Sequence, residues 1–491
     1  MSRSLGKFII FSVTIVMLLL DFFICNTNEA GASHEVNIVL SDTVITVDGK
    51  DIPNNGRVYA SKDVIYYEDR DHYDSGNVYG EGSDKDKHSV EEANAVTVVN
   101  ISAPGTYRFK GKLSDGQIRV DLGEDAWEYQ NNVVTLILDG VDIHCDVAPA
   151  VIFMNVYESN SDWDIETAKY EVDTVAAGAN IIIADDSVNT IEGSYVAKIY
   201  KDRQKKKKLW KQDGALYSYM SMNIDGQEKK NGVLNIFGEN EGISTELHLT
   251  INGGNVNVYA QNDGINTNED DVSVVTINGG NVHVLAGTGK DGGDGIDSNG
   301  WIVVNGGMVV SAGHPGTDSG VDNEMGFYAN GGTIVSMGAT VDWADLDSKQ
   351  TTLNLQFKEQ ITSDKAFIVT DSEGKTVFAY DPIKDDMINS NVRECRGIII
   401  SSPDFCVGEG YSLYLGGEIE GHEINGIYDT STISKFDNAV KQMQLIHDKF
   451  GHGGFIAYPD VIYNPNDIFE FDDIVSCFAE ITECYSLESR E

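Results

Sequence analysis

Carboxylate and amide side chains recur at regular intervals between Glu241 and Gly338, and side chains of these types can bind a cation. In four successive segments a short polar run leads into an Asn-Gly-Gly step. If the run that begins at Asp263 is extended, Ile265 and Thr267 point towards the core and the residues between them point outwards. The same alternation predicts two outward rows, Ser244, Asn266, Asp297 and Asp322 in the first, and Glu246, Asn268, Asn299 and Glu324 in the second.

Rows of carboxylates need a counter-ion. Equivalent residues on adjacent in-register strands lie about 4.8 Å apart, so like charges at these positions repel each other. Mixed carboxylate and amide oxygens are the donors that Ca²⁺ prefers. A glycine-rich loop before the third segment adds two more aspartates and lets the backbone fold tightly around an ion. The predicted calcium ligands are Asp263, Asn266, Asn268, Asp291, Asp294, Asp297, Asn299, Asp322 and Glu324.

A structural role is the alternative for these polar residues. The asparagine of the Asn-Gly-Gly step recurs at 252, 278, 305 and 330, with spacings of 26, 27 and 25 residues. Tight turns that need positive φ favour Asn and Gly. We therefore interpret Asn252, Asn278, Asn305 and Asn330 as turn residues. For Asp297 and Asp322 the same turn chemistry competes with calcium binding, and calcium binding is the preferred interpretation.

A period near 25 residues predicts a repeat architecture. Each repeat holds a short β-type run, such as Val256 to Tyr259, Val282 to Leu285 or Val309 to Ser311. Helical repeats are disfavoured because each internal Gly would cost about 1 kcal/mol. One repeat cannot bury its apolar face alone, so stacking supplies the core. We therefore predict an all-β chain in which each repeat forms one coil of a parallel β-helix.

Several segments resemble a family of secreted, calcium-binding proteins that fold as right-handed parallel β-helices. The segments that carry the resemblance are Gly292 to Gly300, Val304 to Val310, Ser319 to Gly332, Gly105 to Ile118 and Val134 to Ile143. Proteins of this family are labelled carbohydrate-binding domain-containing and are related to family 9 polysaccharide lyases. The resemblance covers roughly Thr97 to Glu418. It implies that the chain binds cellulose or acidic pectic sugars of plant cell walls through surfaces that carry bound calcium. It implies no established catalytic activity.

The first 32 residues read as a secretory signal peptide. Arg3 and Lys7 supply the positive start, Phe8 to Leu20 is apolar, and Ala30 to Ala32 is an Ala-x-Ala cleavage site. Asp21 interrupts the apolar run, which leaves it too short to span a membrane. We therefore expect a protein that is secreted or displayed at the cell surface, with no membrane insertion after cleavage.

The remainder divides into four predicted regions. Residues 33–100 form an entry region that caps the first coil, and residues 101–345 form the parallel β-helix that binds carbohydrate. Residues 346–430 continue as antiparallel strands. Residues 431–491 form a tail of unassigned role, in which Val440, Met443, Ile446 and Phe450 have helical spacing and predict a helix over Phe436 to Phe450.

The net charge of −43 restricts the partners. A chain this acidic is a poor partner for nucleic acid or anionic membranes. It would also repel a polyuronate unless divalent cations bridged the two, so either calcium mediates an acidic ligand or the ligand is a neutral glucan. We expect a monomer.

The cysteines do not indicate a zinc site, because no Cys-x-x-Cys spacing occurs. Cys395 and Cys406 flank a strand and could form a disulfide across a hairpin.

Catalysis is the competing hypothesis. Pectate-lyase-like β-elimination needs calcium and a base, usually Lys or Arg. Lys290 precedes the acidic loop and is the weak candidate, but neighbouring carboxylates would raise its pKa and make it a worse base.

Carbohydrate binding is therefore preferred to catalysis, with Trp210, Trp301 and Lys290 as candidate sugar contacts. Trp210 follows the basic run Lys205 to Lys208, which could meet an anionic polymer. A structural surface adhesin is the further alternative.

Overall fold

The computed structural model describes residues 35–67, 85–159, 163–200, 208–290, 292–345, 347–361, 365–385, 387, 394–406, 410–437 and 440–446. Strands dominate these residues. One α-helix, Val90–Ala95, and three short 3₁₀ helices, Ala126–Glu128, Pro382–Lys384 and Thr430–Thr432, interrupt them. Ser89 caps the α-helix by accepting a hydrogen bond from the backbone N–H of Glu92, whose side chain reaches back to the N–H of Ser89. The all-β class expected from the sequence is confirmed.

Each pass of the chain contributes strands to three faces, which we call faces I, II and III. Strands of one face pair in parallel with those of the passes before and after. Face I holds Val58–Ser61, Thr97–Ile101, Gly116–Asp121, Val151–Asn155, Gly214–Ser218, Glu241–Thr245, Ile265–Thr267, Ile296–Ser298 and Val321–Asn323. In this face only Val58–Ser61 pairs antiparallel, at the edge.

Faces II and III belong to one continuous sheet. Gly105–Leu113 and Val134–Cys145 run through both faces, and Val36–Leu40 pairs in parallel with the first of them. Face II continues with Ala179–Ile183, Met222–Gly226, Leu249–Ile251, Val274–Ile277, Trp301–Val304 and Gly326–Ala329. Face III continues with Val188–Gly193, Val233–Gly238, Asn255–Ala260, Asn281–Leu285, Met308–Ala312 and Thr333–Gly338.

The core lies between the three faces and repeats with each pass. Face I contributes a stack of fully buried side chains, Ile243, Ile265, Ile296 and Val321. Burial of each such side chain stabilises the fold by about 1.5–3 kcal/mol. In the turn between faces II and III the second glycine of each Asn-Gly-Gly step has positive φ, for example 85° at Gly280. A Cβ there would lie 2.5 Å from the carbonyl oxygen of Gly254 in the pass below, so only glycine fits.

The C-terminal strands are antiparallel and cover face III. Cys395–Ser401 pairs with Thr333–Gly338 and with Thr352–Ile361. A six-stranded sheet contains Glu423–Ile424, Ile427–Tyr428, Thr376–Tyr380, Phe367–Asp371, Gly410–Leu415 and Val440–Ile446. Outward residues of face III, among them Leu285, Val310 and Val335, are buried in one cluster with Phe367, Phe378 and Tyr380. The remaining strands form small antiparallel pairs: Thr46–Val47 with Lys50–Asp51, Val196–Tyr200 with Lys208–Gln212, and Glu418–Glu420 with Lys435–Asp437.

Two expectations fail here. The helix predicted over Phe436 to Phe450 is wrong where the structure describes it, because Val440–Ile446 is a strand paired with Gly410–Leu415. The helical spacing of its apolar residues competes with a free sheet edge, and pairing with that edge wins. Cys395 and Cys406 are both free, so no bridge joins them.

Other expectations stay predictions. The signal peptide and the tail beyond 446 lie outside the described residues. The division into regions and the right-handed winding also stay predictions. In the part of the chain that the structure describes, no helix is long and apolar enough to cross a membrane.

Candidate functional site

Face I places the first predicted polar row as expected. Ser244 pairs with Asn266, Asn266 with Asp297, and Asp297 with Asp322, one residue from each pass. In the short strand Ile265–Thr267, the side chain of Thr267 points to the core together with that of the apolar residue Ile265. The polar residue between them is therefore held at a fixed position on each pass.

Two aspartates approach the row from the loops that precede the strands. The Asp263 carboxylate accepts a hydrogen bond from the backbone N–H of Asp294 at 2.7 Å. The Asp294 carboxylate in turn accepts from the backbone N–H and the hydroxyl of Ser319, at 2.7 and 3.1 Å. Each aspartate thus ties its own loop to the loop of the next pass. This arrangement brings carboxylates from successive passes close together.

The electrostatics show how closely the acidic groups lie. Burial, followed by repulsion from Glu241 and Asp294, raises the pKa of Asp263 to about 8. Burial and four neighbouring carboxylates, Asp263, Asp294, Asp322 and Glu241, raise the pKa of Asp297 to about 8. Burial and nearby Asp322 raise the pKa values of Asp294 and Asp342 to about 6. We call the group Glu241, Asp263, Asp294, Asp297, Asp322 and Asp342 the carboxylate cluster.

Several oxygen atoms of this cluster lack partners among the described residues. Glu241 is fully buried, and its Oε2 has no hydrogen-bond donor. The Asn266 amide donates to Glu241 Oε1 at 3.1 Å, while its own Oδ1, also buried, has no donor. The Asp297 carboxylate makes neither a hydrogen bond nor an ion pair within the described part of the chain. Unsatisfied buried oxygens of this kind are costly, and a cation would satisfy them.

One cation of the chain itself reaches one end of the cluster. The Lys211 ammonium forms an ion pair with Asp213 and lies 3.8 Å from Glu241 Oε1. Asp213 and Glu241 are both buried. The central members, Asp263 and Asp297, lie on later passes, where the described residues supply no ion pair.

The donor set fits calcium by its chemistry. It consists of carboxylate and amide oxygens, the hard donors that Ca²⁺ takes. As the described side chains stand, no group of three or more His, Cys, Asp or Glu is arranged to hold a metal ion. Calcium would therefore have to draw the Asp263, Asp297 and Glu241 side chains inwards, with Asn266 as an amide donor.

The structure does not bring every predicted ligand to this point. The Asn299 amide donates to Asp270 and to the Asn268 carbonyl, and the Asn268 amide donates to Ser244. Glu324 is exposed, and Asp291 lies outside the described residues. Calcium binding by all of these residues stays a prediction.

The sequence analysis missed several members of the site. Glu241, Asp213 and Asp342 were not predicted as ligands, and Lys211 was not recognised as the counter-ion of Asp213 and Glu241. A signal existed for two of them: an acidic residue followed by Gly lies at or just before the start of the face I strand at Asp213 and Glu241, as at Asp263 and Asp294. No repeat position marks Asp342 or Lys211.

A second polar row, the asparagine ladder, runs along the turn between faces II and III. Asn278 donates to Asn252, Asn305 to Asn278 and Asn330 to Asn305, at 2.9, 2.9 and 3.1 Å. Residues 170–175, which we call the strap, run beside it and enclose a groove of about 310 Å³. The ladder supports the turn role predicted for these four residues.

The predicted sugar contacts differ in their accessibility. Trp301 is only 7% exposed and packs in a cluster with Val303 and Tyr328, against which Tyr170 of the strap is stacked at 4.0 Å between ring centroids. Lys290 is exposed. Trp210 pairs with Ile199 in a hairpin, and its side chain lies outside what the structure describes. Trp301 therefore cannot contact a polymer while the strap is in place.

Comparison with known proteins gives the following likenesses. The family model described as "Carbohydrate-binding domain-containing protein" matches residues 95–394. A protein of the same description from Acetivibrio thermocellus is 30% identical over 178 residues, which are 35% of this chain and 50% of that protein. The chain thus spans about half the length of this curated relative. A solved structure, the polysaccharide lyase-like protein from C. thermocellum in a gadolinium derivative, is 20% identical and covers 61% of this chain and 94% of its own. Its TM-score is 0.35.

Proposed function

The chain belongs to the family of carbohydrate-binding domain-containing proteins, and from this membership we propose that it is a secreted, calcium-dependent binder of plant-cell-wall polysaccharide. In this proposal the three faces wind as a right-handed parallel β-helix, calcium stabilises face I, and an exposed surface holds cellulose or polygalacturonate. Membership of this family supports a carbohydrate as the ligand. The calcium rests on the chain's own carboxylates, and the choice of plant-cell-wall polymer rests on the family resemblance of segments such as Gly292 to Gly300 and Ser319 to Gly332.

The observation that carries the proposal is the unsatisfied carboxylate cluster. Burial and repulsion from neighbouring carboxylates, among them Glu241 and Asp294, raise the pKa values of Asp263 and Asp297 to about 8. Glu241 Oε2 and Asn266 Oδ1 are buried without a donor among the described residues. Bound calcium would neutralise these oxygens and hold successive passes of face I together. A fixed face I in turn keeps the loops between the passes in one arrangement, which a polymer-binding surface needs.

The lyase alternative gains no support from the cluster. A lyase would need a free base beside the bound cation. The lysine that the structure places at the cluster, Lys211, is already paired with Asp213 and Glu241. Lys290, the base considered from the sequence, is exposed on its loop. Binding without catalysis is therefore the function that this geometry favours.

The test is retention on insoluble cellulose and on polygalacturonate gel, each with calcium and with EGTA. We expect calcium-dependent retention on at least one polymer. The Asp297→Asn variant should lose calcium-dependent retention, because it removes a central carboxylate. Asp115→Asn, a change at an exposed acid away from the cluster, should behave as the unmodified protein. No retention on either polymer under either condition would contradict the proposal and favour a structural adhesin.

A further inference from the structure

Exposed aromatic side chains concentrate on two insertions of the described chain. The first insertion, residues 122–133, leads from face I to Val134–Cys145, and the second, residues 156–178, leads from face I to Ala179–Ile183. Trp127 and Tyr129 on the first are 45% and 59% exposed, and Trp163 on the second is 41% exposed. Large rings are usually buried, so three exposed rings on adjoining segments indicate a contact surface.

The start of the second insertion is hydrogen-bonded to the first. The backbone N–H of Tyr157 donates to the carbonyl of Asn132 at 2.9 Å, and that of Glu158 donates to the carbonyl of Trp127 at 3.1 Å. Trp127 lies in the 3₁₀ helix Ala126–Glu128, whose Ala126 is buried. The Asn132 amide closes the turn by donating to the Ala126 carbonyl at 3.0 Å. The backbone under Trp127 and Tyr129 is therefore fixed, so little conformational entropy is lost when they contact a ligand.

The charges around these rings disfavour direct contact with an anionic partner. Residues 122–133 contain Glu124, Asp125 and Glu128 and no basic residue. On the second insertion Asp164 and Glu166 follow Trp163 and are exposed, as is one basic residue further along, Lys169. A polyuronate would meet like charges here, whereas the hydroxyl groups of a neutral polymer can donate to these carboxylates.

We infer that Trp127, Tyr129 and Trp163 form an aromatic platform that binds an uncharged polysaccharide. The inference rests on the proposed function and narrows it to a neutral glycan. Pyranose rings have apolar faces of C–H groups, which stack on indole and phenol rings, while their equatorial hydroxyls reach polar groups beside the rings. Trp301, the tryptophan considered from the sequence, does not serve this purpose because it is buried against Tyr328.

The platform is separate from the carboxylate cluster. It lies on insertions that follow the face I strands Gly116–Asp121 and Val151–Asn155, whereas the cluster lies on later passes from Glu241 onwards. Calcium is therefore expected to stabilise the fold without contacting the glycan. Loss of the platform should weaken sugar binding at constant calcium binding.

The experiment measures depletion isotherms of the full chain on microcrystalline cellulose and on polygalacturonate gel, both in calcium. We expect the double variant Trp127→Ala/Trp163→Ala to bind cellulose at least about tenfold more weakly, since exposed Trp residues dominate such contacts. Phe237→Ala is the matched control because Phe237 is equally exposed, at 41%, but lies on face III. It should leave binding unchanged, and calcium titration should be the same for all three proteins.

The possible outcomes test the aromatic platform and the proposed function separately. Undiminished cellulose binding by the double variant, or wild-type binding to polygalacturonate alone, would overturn the platform while the proposed function stands. Failure of the wild-type chain to bind either polymer would overturn the proposed function itself. If the double variant fails to fold, the single changes Trp127→Ala and Trp163→Ala, each checked by circular dichroism, decide the question by the same criteria.

Discussion

The carboxylate cluster and the asparagine ladder are two rows of polar side chains built by the same repeat. Both place a polar residue on each successive pass of the stack. In the ladder each amide donates to the amide of the pass before it, as Asn278 does to Asn252. In the cluster the carboxylates of successive passes cannot donate to one another, and burial together with repulsion from neighbouring carboxylates raises the pKa values of Asp263 and Asp297 to about 8. Stacking thus satisfies a group that can both donate and accept, and it leaves unsatisfied a group that only accepts.

This difference assigns different tasks to the two rows. The asparagine ladder needs nothing beyond the chain, which fits a row that holds turns in register. The carboxylate cluster needs donors from elsewhere. Backbone N–H groups supply some, at Asp263 and Asp294, and Lys211 supplies a charge at Glu241. Asp297 and Asn266 have side-chain oxygens that still lack a donor among the described residues, so an external cation would have the largest effect there.

The largest expected effect is the response of the cluster to pH and calcium. Unfolded aspartates titrate near their ordinary pKa of 3.8, whereas Asp263 and Asp297 titrate at about 8 in the folded chain. The folded state therefore binds more protons between these values, so the stability of the calcium-free protein should fall as pH rises from about 4 to 8. We expect a loss of several kcal/mol, on the order of 1 kcal/mol per group and pH unit.

Urea unfolding at pH 5 and pH 8, in EGTA and in calcium, measures this effect. Calcium should offset part of this loss, because it binds the ionised carboxylates and stabilises the folded state at pH 8 by about 2.7 kcal/mol at a hundredfold excess over its Kd. Stability in EGTA that is independent of pH over this range would show that the carboxylates are not electrostatically opposed.

A smaller effect is expected when the chain's own cation is removed. Lys211→Met leaves Asp213 and Glu241 buried and without their charge partner. Removal of one partner from such a pair costs about 3 kcal/mol of unfolding free energy. The control is Lys229→Met, because Lys229 pairs with Asp186 at the exposed surface and its loss should not change stability measurably.

Calcium should recover part of the loss in Lys211→Met and none in the control, as seen by urea unfolding with and without calcium. Equal stability of the two variants would mean that Lys211 does not compensate the buried acids.

Much of this arrangement follows from the sequence, for an identifiable reason. The Asn-Gly-Gly step fixes one turn on every pass, and the alternation around Ile265 then determines which residues of face I point outwards. The row from Ser244 to Asp322 was predicted in register because both signals recur locally. Contacts between distant parts leave no such periodic signal. Pairing of Lys211 with Glu241, coverage of Trp301 by the strap, and addition of Val440–Ile446 to a sheet edge were all missed for this reason.

The smallest effect should come from exchanging the chemistry of the two rows. Asn305→Asp opposes a carboxylate to the side-chain amide oxygen of Asn278 and removes the donor that joins them, so it should destabilise the chain by about 1 kcal/mol. Asp297→Asn removes a buried acid whose pKa is raised by four neighbouring carboxylates, so at pH 5, about one pH unit above the ordinary aspartate pKa of 3.8, it should stabilise the calcium-free protein by about 1 kcal/mol, while calcium affinity falls. Thermal unfolding in EGTA compares the two, with Asn305→Ala separating the lost donor from the added charge and Asp115→Asn as an exposed control. Destabilisation by both exchanges would contradict the distinction, because it would mean that Asp297, like Asn305, is already satisfied by the chain. Opposite signs would place the unsatisfied charge on face I alone.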